Sequence, residues 1–529
     1  MSGFATVSRR EALALGLGGL TLAATRPAWA FQALVPDPVD SIVERFLAAF
    51  EIPGVSVALI RPGQPVFTRG YGVRTLGRPD RVDEDTLFAV ASNTKAFLAA
   101  AFALLVEEGK LAWDEPVRRY LPEFAMSDPH ATEMTTVRDL LVHRSGLALG
   151  AGDLMIFPES THTAEDVLRG LRYLPLARGF RTGYAYDNIL YIVGGLLLQR
   201  VTGQTYEQFF AERLLRPLGM AHSVANRPLV RTRNVVGRHA RLGPPLRGFG
   251  PLAAIEPDES PVFGAAAGIH TSARDIVPWL QTQLGKGMMP NGQRLWSEAQ
   301  STQMWTPQVI TASGPGPTPE LPTRSVLTGY ASGWFVQDYR GRRLLHHSGG
   351  LSGQITYTGF FPDSGHAFAV FTNTEDGAVG GLRNAIVDHL IGAPEYDWVT
   401  STRTRIDRQR SEALNQAGGD FNRAPAGGPS LPLSAYAGRY RDPWYGDIVV
   451  TERRGRLHID FTRTPVFKSA LEPFGPDAFR TRFPRGAGED AVITFVVENG
   501  RVPRMTLRAL SPFADFSYDF HDLKPERVG

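Results

Sequence analysis

The chain contains no cysteine, which excludes disulfides, thiolate zinc ligands and a cysteine nucleophile together. Lysine is nearly as scarce: the 56 basic residues include only Lys95, Lys110, Lys286, Lys468 and Lys524, and all the others are arginines. No H-E-x-x-H and no clustered histidine spacing occurs, so neither a metal nor another cofactor is expected. No G-x-S-x-G surrounds any serine, and the nucleophile elbow of an α/β-hydrolase is therefore missing. An excess of either charge is lacking too. With 56 Lys and Arg against 53 Asp and Glu the net charge is +3, and no polybasic patch argues for nucleic acid.

What is present is the composition of a soluble globular protein: 529 residues, 43% hydrophobic and 21% charged. That length is natural for two domains. Residues 1–30 read as an address. Ser8-Arg9-Arg10 precedes an apolar run over 12–24, and Ala28-Trp29-Ala30 supplies small residues at a cleavage site, the pattern of a twin-arginine export signal cut after Ala30. The run is shorter than the roughly 20 residues needed to span a bilayer. A periplasmic or secreted mature protein with no stable membrane anchor is expected.

The chain turns on residues 88–108, FAVASNTKAFLAAAFALLVEE. Ser92 and Lys95 stand three apart where a turn-like Ser-Asn-Thr enters an apolar helix, and that spacing puts both side chains on one face, roughly 5–6 Å apart at Cβ. A serine hydroxyl needs a neighbour to take its proton, and a lysine serves if burial lowers its pKa. The helix behind has almost no polar face, so Lys95 is expected to enter an apolar interior. Alternatively Ser92 caps the helix and Lys95 snorkels to solvent. Of the five lysines only Lys95 has a serine three residues before it.

In chain order, residues 38–50 predict a helix, and 55–60 with 65–71 predict a hairpin across Pro62-Gly63. This is an α+β opening, not a run of βαβ units. Residues 135–141 predict a helix ending at His143, a histidine that is either chemical or bonded to a free carbonyl. Tyr186 and Asn188 lie one residue apart before a helix that Gly203 ends. A phenol carries protons where a cation lowers its pKa, and an amide can hold a lysine and a substrate carbonyl together; the alternative for Asn188 is an Asx cap. Residues 228–261 read as an irregular excursion of the kind that shapes pockets. Ser272 and Asp275 match a capping box, and 306–323 reads as a mobile loop. Residues 343–350 predict a strand running into a glycine turn, followed by strands over 354–361 and 367–373. Gly349 and Gly350 let a substrate or another backbone approach closely. Of His346 and His347, adjacent in a strand, one can face a site.

Three elements in fixed order, Ser92-x-x-Lys95, Tyr186-x-Asn188 and His347-Ser348-Gly349, resemble the penicillin-recognising serine hydrolases. The class C β-lactamase-like group, with its D-aminopeptidases, D,D-peptidases and esterases, is most similar. Thr136-Val137-Arg138-Asp139-Leu140-Leu141-x-His143-x-Ser145-Gly146-Leu147, Val201-Thr202-Gly203-x-x-Tyr206-x-x-Phe209 and Pro217-Leu218-Gly219-Met220 extend the likeness over residues 38–395. The resemblance implies an antiparallel sheet flanked by helices on one side, with an all-helical cluster inserted between the early and late strands. It implies that Ser92 attacks the carbonyl, that Lys95 and Tyr186 share its proton, and that Tyr186 activates the deacylating water. Asn188 would orient the substrate amide, His347 and Ser348-Gly349 would line the opposite wall, and the N–H groups of Ser92 and Gly350 would form the oxyanion hole. Where β-lactamases and transpeptidases carry lysine, this chain has His347, a likeness to the D-aminopeptidase branch. Small peptide or amide substrates, with D- or unusual residues as in linearised microcystin or cell-wall peptides, are therefore expected ahead of esters and β-lactams. A non-catalytic binding protein of the same fold is the other alternative.

The tail reads as a second module. The catalytic domain is expected over 31–407, a flexible linker over 408–430, and short strands over 431–525 forming a small antiparallel barrel or sandwich. It resembles the lipocalin-like domains fused to some of these hydrolases. Its aromatics are read as core, and its role is left open between shielding the site, binding substrate and joining subunits into a homo-oligomer.

Overall fold

The computed structural model describes residues 37–243, 247–416, 423–484 and 488–528. The export segment over 1–30 lies outside them. The described residues begin with helix α1 (Pro38–Phe50), whose opening belongs to a unit that ends at Ser41; a second unit runs from Ile42 onward. Everything below concerns the second.

Its main sheet is antiparallel and eight-stranded, in the order β2-β1-β8-β7-β6-β5-β4-β3. The strands are β1 (Gly54–Ile60), β2 (Phe67–Gly72), β3 (Val309–Ser313), β4 (Leu327–Tyr330), β5 (Phe335–Tyr339), β6 (Arg342–Leu351), β7 (Gln354–Phe361) and β8 (His366–Thr372). Between β2 and β3 lies the largely helical insert, with α2 (Thr94–Glu107), α3 (Ala164–Gly170), α4 (Ile189–Thr202) and α5 (Ile276–Leu284). After the sheet come α6 (Val379–Leu390) and α7 (Trp398–Gln416). The α+β reading holds, with one correction. Every residue of β1 is buried, so both faces of this strand are covered and not one side alone.

Helix α2 forms because alanine and leucine favour it, and Thr94 through Leu105 are all buried. Phe97 stacks on Trp279 at 3.8 Å between ring centroids, which ties α2 to α5. Gly203, at φ 73°, closes α4 in the left-handed region, where glycine carries no Cβ penalty.

Four local readings are corrected. The glycine turn after His347 is not a turn: Gly349 and Gly350 belong to β6, and the chain reverses at Ser352 and Gly353. The helix expected over 135–141 is a single 3-10 turn, Arg138–Leu141, because Val142 leaves helical dihedrals and His143 takes φ +55°, a conformation that cannot continue a right-handed helix. Within 306–323, the β-branched run Val309–Ser313 pairs with β4 as an edge strand. Of the linker, 408–416 continues α7; no glycine or proline interrupts the run, and Arg408 and Glu412 meet at i,i+4.

The C-terminal module is one nine-stranded antiparallel sheet rolled into a nearly closed barrel. Its strands are β9 (Gly438–Asp442), β10 (Gly446–Arg453), β11 (Arg456–Phe461), β12 (Lys468–Ala470), β13 (Glu472–Pro473), β14 (Ala478–Arg480), β15 (Ala491–Glu498), β16 (Arg501–Ala509) and β17 (Glu526–Val528). The two ends of the sheet, β12 and β13, are separated in sequence by Leu471 alone. Phe467 and Phe483 stack at 4.5 Å inside it beside Phe461 and Phe520, so these aromatics are core.

Candidate active site

Ser92 sits on a fastened turn. Phe88 and Ala89 pair with Thr271 and His270, and the Val90 N–H donates to Ile269 O at 2.9 Å. Ala91 then takes φ +48°, a strained conformation for a residue with a Cβ, and a 3-10 turn, Ala91–Asn93, leads into α2. Asn93 pins the turn to the sheet: its Nδ2 donates to Val90 O at 2.8 Å and to Thr356 Oγ1 at 2.9 Å, and Thr358 Oγ1 donates to its Oδ1 at 2.6 Å. Ser92 is only 7% exposed, yet it opens onto a cavity of about 660 Å³. Its N–H belongs to the first turn of a helix, where such groups have no partner within the helix.

Lys95 is fully buried. Its Nζ lies 3.2 Å from Ser92 Oγ, 2.8 Å from Asn188 Oδ1 and 3.3 Å from Ala266 O, over the rings of Tyr186 and Tyr191 at 4.8 and 5.0 Å. Burial brings its pKa down to about 7, against the opposing pull of Asp153 and Asp187. The snorkelling alternative is excluded.

Tyr186 donates to Ser92 Oγ at 2.7 Å. Its hydroxyl is pushed well above the ordinary phenol range by burial, which corrects the expectation of a pKa lowered by a cation. The tyrosine is a neutral donor to the serine oxygen, and Lys95 is the group whose affinity fits a base near neutrality. Asn188 begins α4 without capping it. Its amide spans Lys95 and Asp153, the Nδ2 donating to Asp153 Oδ2 at 2.9 Å.

His347 faces the cavity from β6. Its Nδ1 bonds Ser348 O at 2.5 Å and its Nε2 meets Tyr330 Oη at 2.9 Å. A carbonyl only accepts, so Nδ1 carries the proton and Nε2 accepts from the tyrosine. Burial, with Lys95 nearby, lowers its pKa to about 3, and the imidazole is neutral. Its neighbour His346 turns away, toward Gln337. Ser348 and Gly350 line the cavity, and a Cβ on Gly350 would meet nothing within 4 Å. Gly349 does not reach the cavity. A Cβ there would fall 2.1 Å from Val90 O, so this glycine lets the Ser92 turn dock on β6.

His143 is buried at φ +55° and neither bonds a free carbonyl nor reaches the serine. Its Nδ1 accepts the Asp187 N–H at 3.2 Å, and its ring packs 4.2 Å from that of Tyr186. Ser272 Oγ accepts the Asp275 N–H at 3.1 Å, half of the expected capping box; the Asp275 carboxylate turns instead to His222 N and Ser223 Oγ.

Several residues of the site escaped sequence reasoning: Asp153, Tyr330, and Phe513, Asp515, Phe516 and Ser517 of the C-terminal module, which line the cavity or hold its lining. Tyr330 sits in a stretch that reads simply as strand. Asp153 sits in a glycine-flanked loop with no periodicity.

The family model described as Beta-lactamase matches residues 39–393, and a domain of unknown function (DUF3471) matches 422–527. An unguisins hydrolase of Aspergillus violaceofuscus is 30% identical over 464 residues, 81% of this chain and 79% of its own. Among solved structures, the octameric penicillin-binding protein homologue from Pyrococcus abyssi superposes with a TM-score of 0.57 at 20% identity, covering 92% of this chain and 99% of that one. The D-amino acid amidase from Ochrobactrum anthropi, complexed with D-phenylalanine, gives 0.53 at 24%, covering 67% and 99%. Both show the same fold. The serine-hydrolase centre built by α2, α4 and β6 is thus that of a recognised lineage, and the chain belongs to the Beta-lactamase family.

Proposed function

We propose that the protein hydrolyses amide or peptide bonds through an acyl-enzyme on Ser92, in substrates carrying D- or unusual residues such as linearised cyclic peptides. Neutral Lys95 takes the Ser92 proton as Oγ attacks the carbonyl, and Tyr186 passes a proton to the leaving nitrogen. The N–H groups of Ser92 and Gly350 receive the oxyanion. Water then attacks the ester, its proton returning through Tyr186 and Lys95, and Ser92 is released.

The observation that carries the substrate class is the charge of the cavity. His347 is neutral, and the lining carries Asp153, Glu375, Glu489 and Asp515. The single lining arginine, Arg247, is engaged by both oxygens of Glu375, each at 2.9 Å. Such a cavity disfavours an acyl donor with a fixed carboxylate, as a β-lactam has, and favours neutral or amine-bearing chains. The relatives named as an unguisins hydrolase and a D-amino acid amidase support the same reading.

The test is kcat/KM for D- and L-phenylalanine p-nitroanilide, p-nitrophenyl butyrate and nitrocefin, with Ser92→Ala as the blank. Hydrolysis of the D-anilide ahead of the other substrates, after correction for their intrinsic reactivity, is expected. A preference for the ester or for nitrocefin overturns it. Export and self-association through the C-terminal module belong to the same proposal; N-terminal sequencing of the periplasmic protein and sedimentation of the full chain test them.

A further inference from the structure

The loop between β16 and β17 leaves the barrel and enters the catalytic domain. Phe516 lies against Gly150, where a Cβ would fall 2.6 Å from the phenylalanine ring, and meets the Tyr186 ring edge-on at 6.2 Å. Two residues of the loop then grip one turn. Asp519 accepts the N–H groups of Gly152 and Leu154 at 2.7 and 3.1 Å, and Ser517 Oγ donates to Asp153 Oδ2 at 2.9 Å. Asp153 Oδ2 also receives Asn188 Nδ2, at 2.9 Å. Asn188 presents its other end to Lys95 at 2.8 Å, and Lys95 stands 3.2 Å from Ser92.

The orientation of the Asn188 amide is the critical point. An amide has one donor end and one acceptor end. Its oxygen faces Lys95 because its NH₂ has a carboxylate oxygen to donate to, and that oxygen is where it is because Ser517 and Asp519 hold the turn. We propose that the C-terminal module is a working part of the catalytic centre, with Ser517 a positioning residue that keeps Asp153, Asn188 and Lys95 in register with Ser92. The proposal rests on Ser92 being the nucleophile.

The charges around this line give it a readout. Lys95 is faced by Asp153 and Asp187, by the neutral rings of His143 and His347, and by the ring faces of Tyr186 and Tyr191. Asp153 is faced by Lys95, Asn188, Ser517, Asp515 and Asp519, the last raised well above the carboxylate range by burial. Burial brings Asp153 up to about 7 against the hydrogen bonds from Ser517 and Asn188. Without the Ser517 hydroxyl, Asp153 protonates more readily, its negative charge beside Lys95 weakens, and Lys95 loses its proton at lower pH.

The experiment is the second-order rate of fluorophosphonate labelling of the full chain from pH 5 to 9, for the parent, Ser517→Ala, Ser517→Thr and Asp153→Asn, with Ser92→Ala as the blank. In Ser517→Ala the plateau is expected to fall roughly tenfold, the lower end for the loss of one hydrogen bond to a charged group, and the acid limb to move down by about half a pH unit. Ser517→Thr, which keeps the hydroxyl, restores both. Asp153→Asn, which removes the charge outright, moves the limb further down. A Ser517→Ala curve that overlays the parent overturns the proposal while leaving the site reading intact, and so does a lowered plateau with an unmoved limb, the mark of a merely structural role. Equal labelling of the parent and Ser92→Ala shows that Ser92 is not the nucleophile, and both fall.

Discussion

Titrating the hydrolysis of a D-anilide from pH 5 to pH 9 reads the protonation of Lys95 in the rate. An ordinary lysine, at 10.5, is neutral in about 0.1% of molecules at pH 7.5. Buried in α2 and brought to about 7, Lys95 is neutral in about three quarters of them. Burial therefore enlarges the pool of competent base several hundredfold, by a penalty of about 5 kcal/mol on the charged amine. The sign follows: the active form is the deprotonated one, so kcat/KM is expected to be full above pH 8 and to fall about tenfold per pH unit below 7. Asp153 also titrates near 7, so the midpoint belongs to the coupled pair. No descending limb is expected up to pH 9, because the Tyr186 and Tyr191 hydroxyls are pushed well above 10. His347, at about 3, adds no inflection in the window. Lys95→Arg completes the assay: the guanidinium keeps the charge but cannot give up its proton, and a loss of about 10³ is expected. A rate that stays flat down to pH 5, or an arginine variant retaining a tenth of the activity, refutes the assignment of Lys95 as the base.

Four further outcomes are expected. Gly349→Ala forces a Cβ to within 2.1 Å of Val90 O and 2.5 Å of Thr356 Oγ1, and urea denaturation should show a loss of about 3 kcal/mol or more. Trp279→Ala removes the ring stacked on Phe97 and should cost about 3–5 kcal/mol, read by the same titration. His347→Lys places a cation at a wall that has none and should raise the ratio of nitrocefin to D-anilide kcat/KM by about tenfold, one ion pair's worth in a partly buried site; an unchanged ratio removes the charge argument for substrate class. Phe516→Ala opens the cavity beside Tyr186 while its side chain, 40% exposed, leaves little core behind. KM for bulky anilides should change severalfold with the melting temperature held within about 2 °C.

Much of the centre was legible because its chemistry is written in short spacings. Ser92 and Lys95 share a helical turn, Tyr186 and Asn188 a dipeptide step, and His347 lies on a strand whose alternation selects one histidine of two. The strands of the sheet announced themselves through β-branched and aromatic runs bounded by glycine. What stayed hidden has one physical origin. Asp153 and Ser517 meet across 364 residues, and neither sits in a periodic segment, so no local pattern predicts the contact. The misread turn at Gly349 has a related cause. A glycine pair signals a reversal and a close approach equally well, and only the position of Val90 decides for the second. The shortened helix at Arg138–Leu141 reflects the left-handed conformation of His143, which its residue type does not dictate.

The grip of the Ser517 and Asp519 loop on the Asp153 turn also sets an order of events during biosynthesis. Ser92 and Lys95 are translated early, but the residues that hold the Asp153 turn emerge only after the barrel strand Arg501–Ala509 has been made. Domains fold largely as they emerge, so a growing chain can assemble the sheet and helices around Ser92 before the loop that carries Ser517 and Asp519 exists. Until the second module has been made, the Asp153 turn lacks its hydrogen bonds with Ser517 and Asp519.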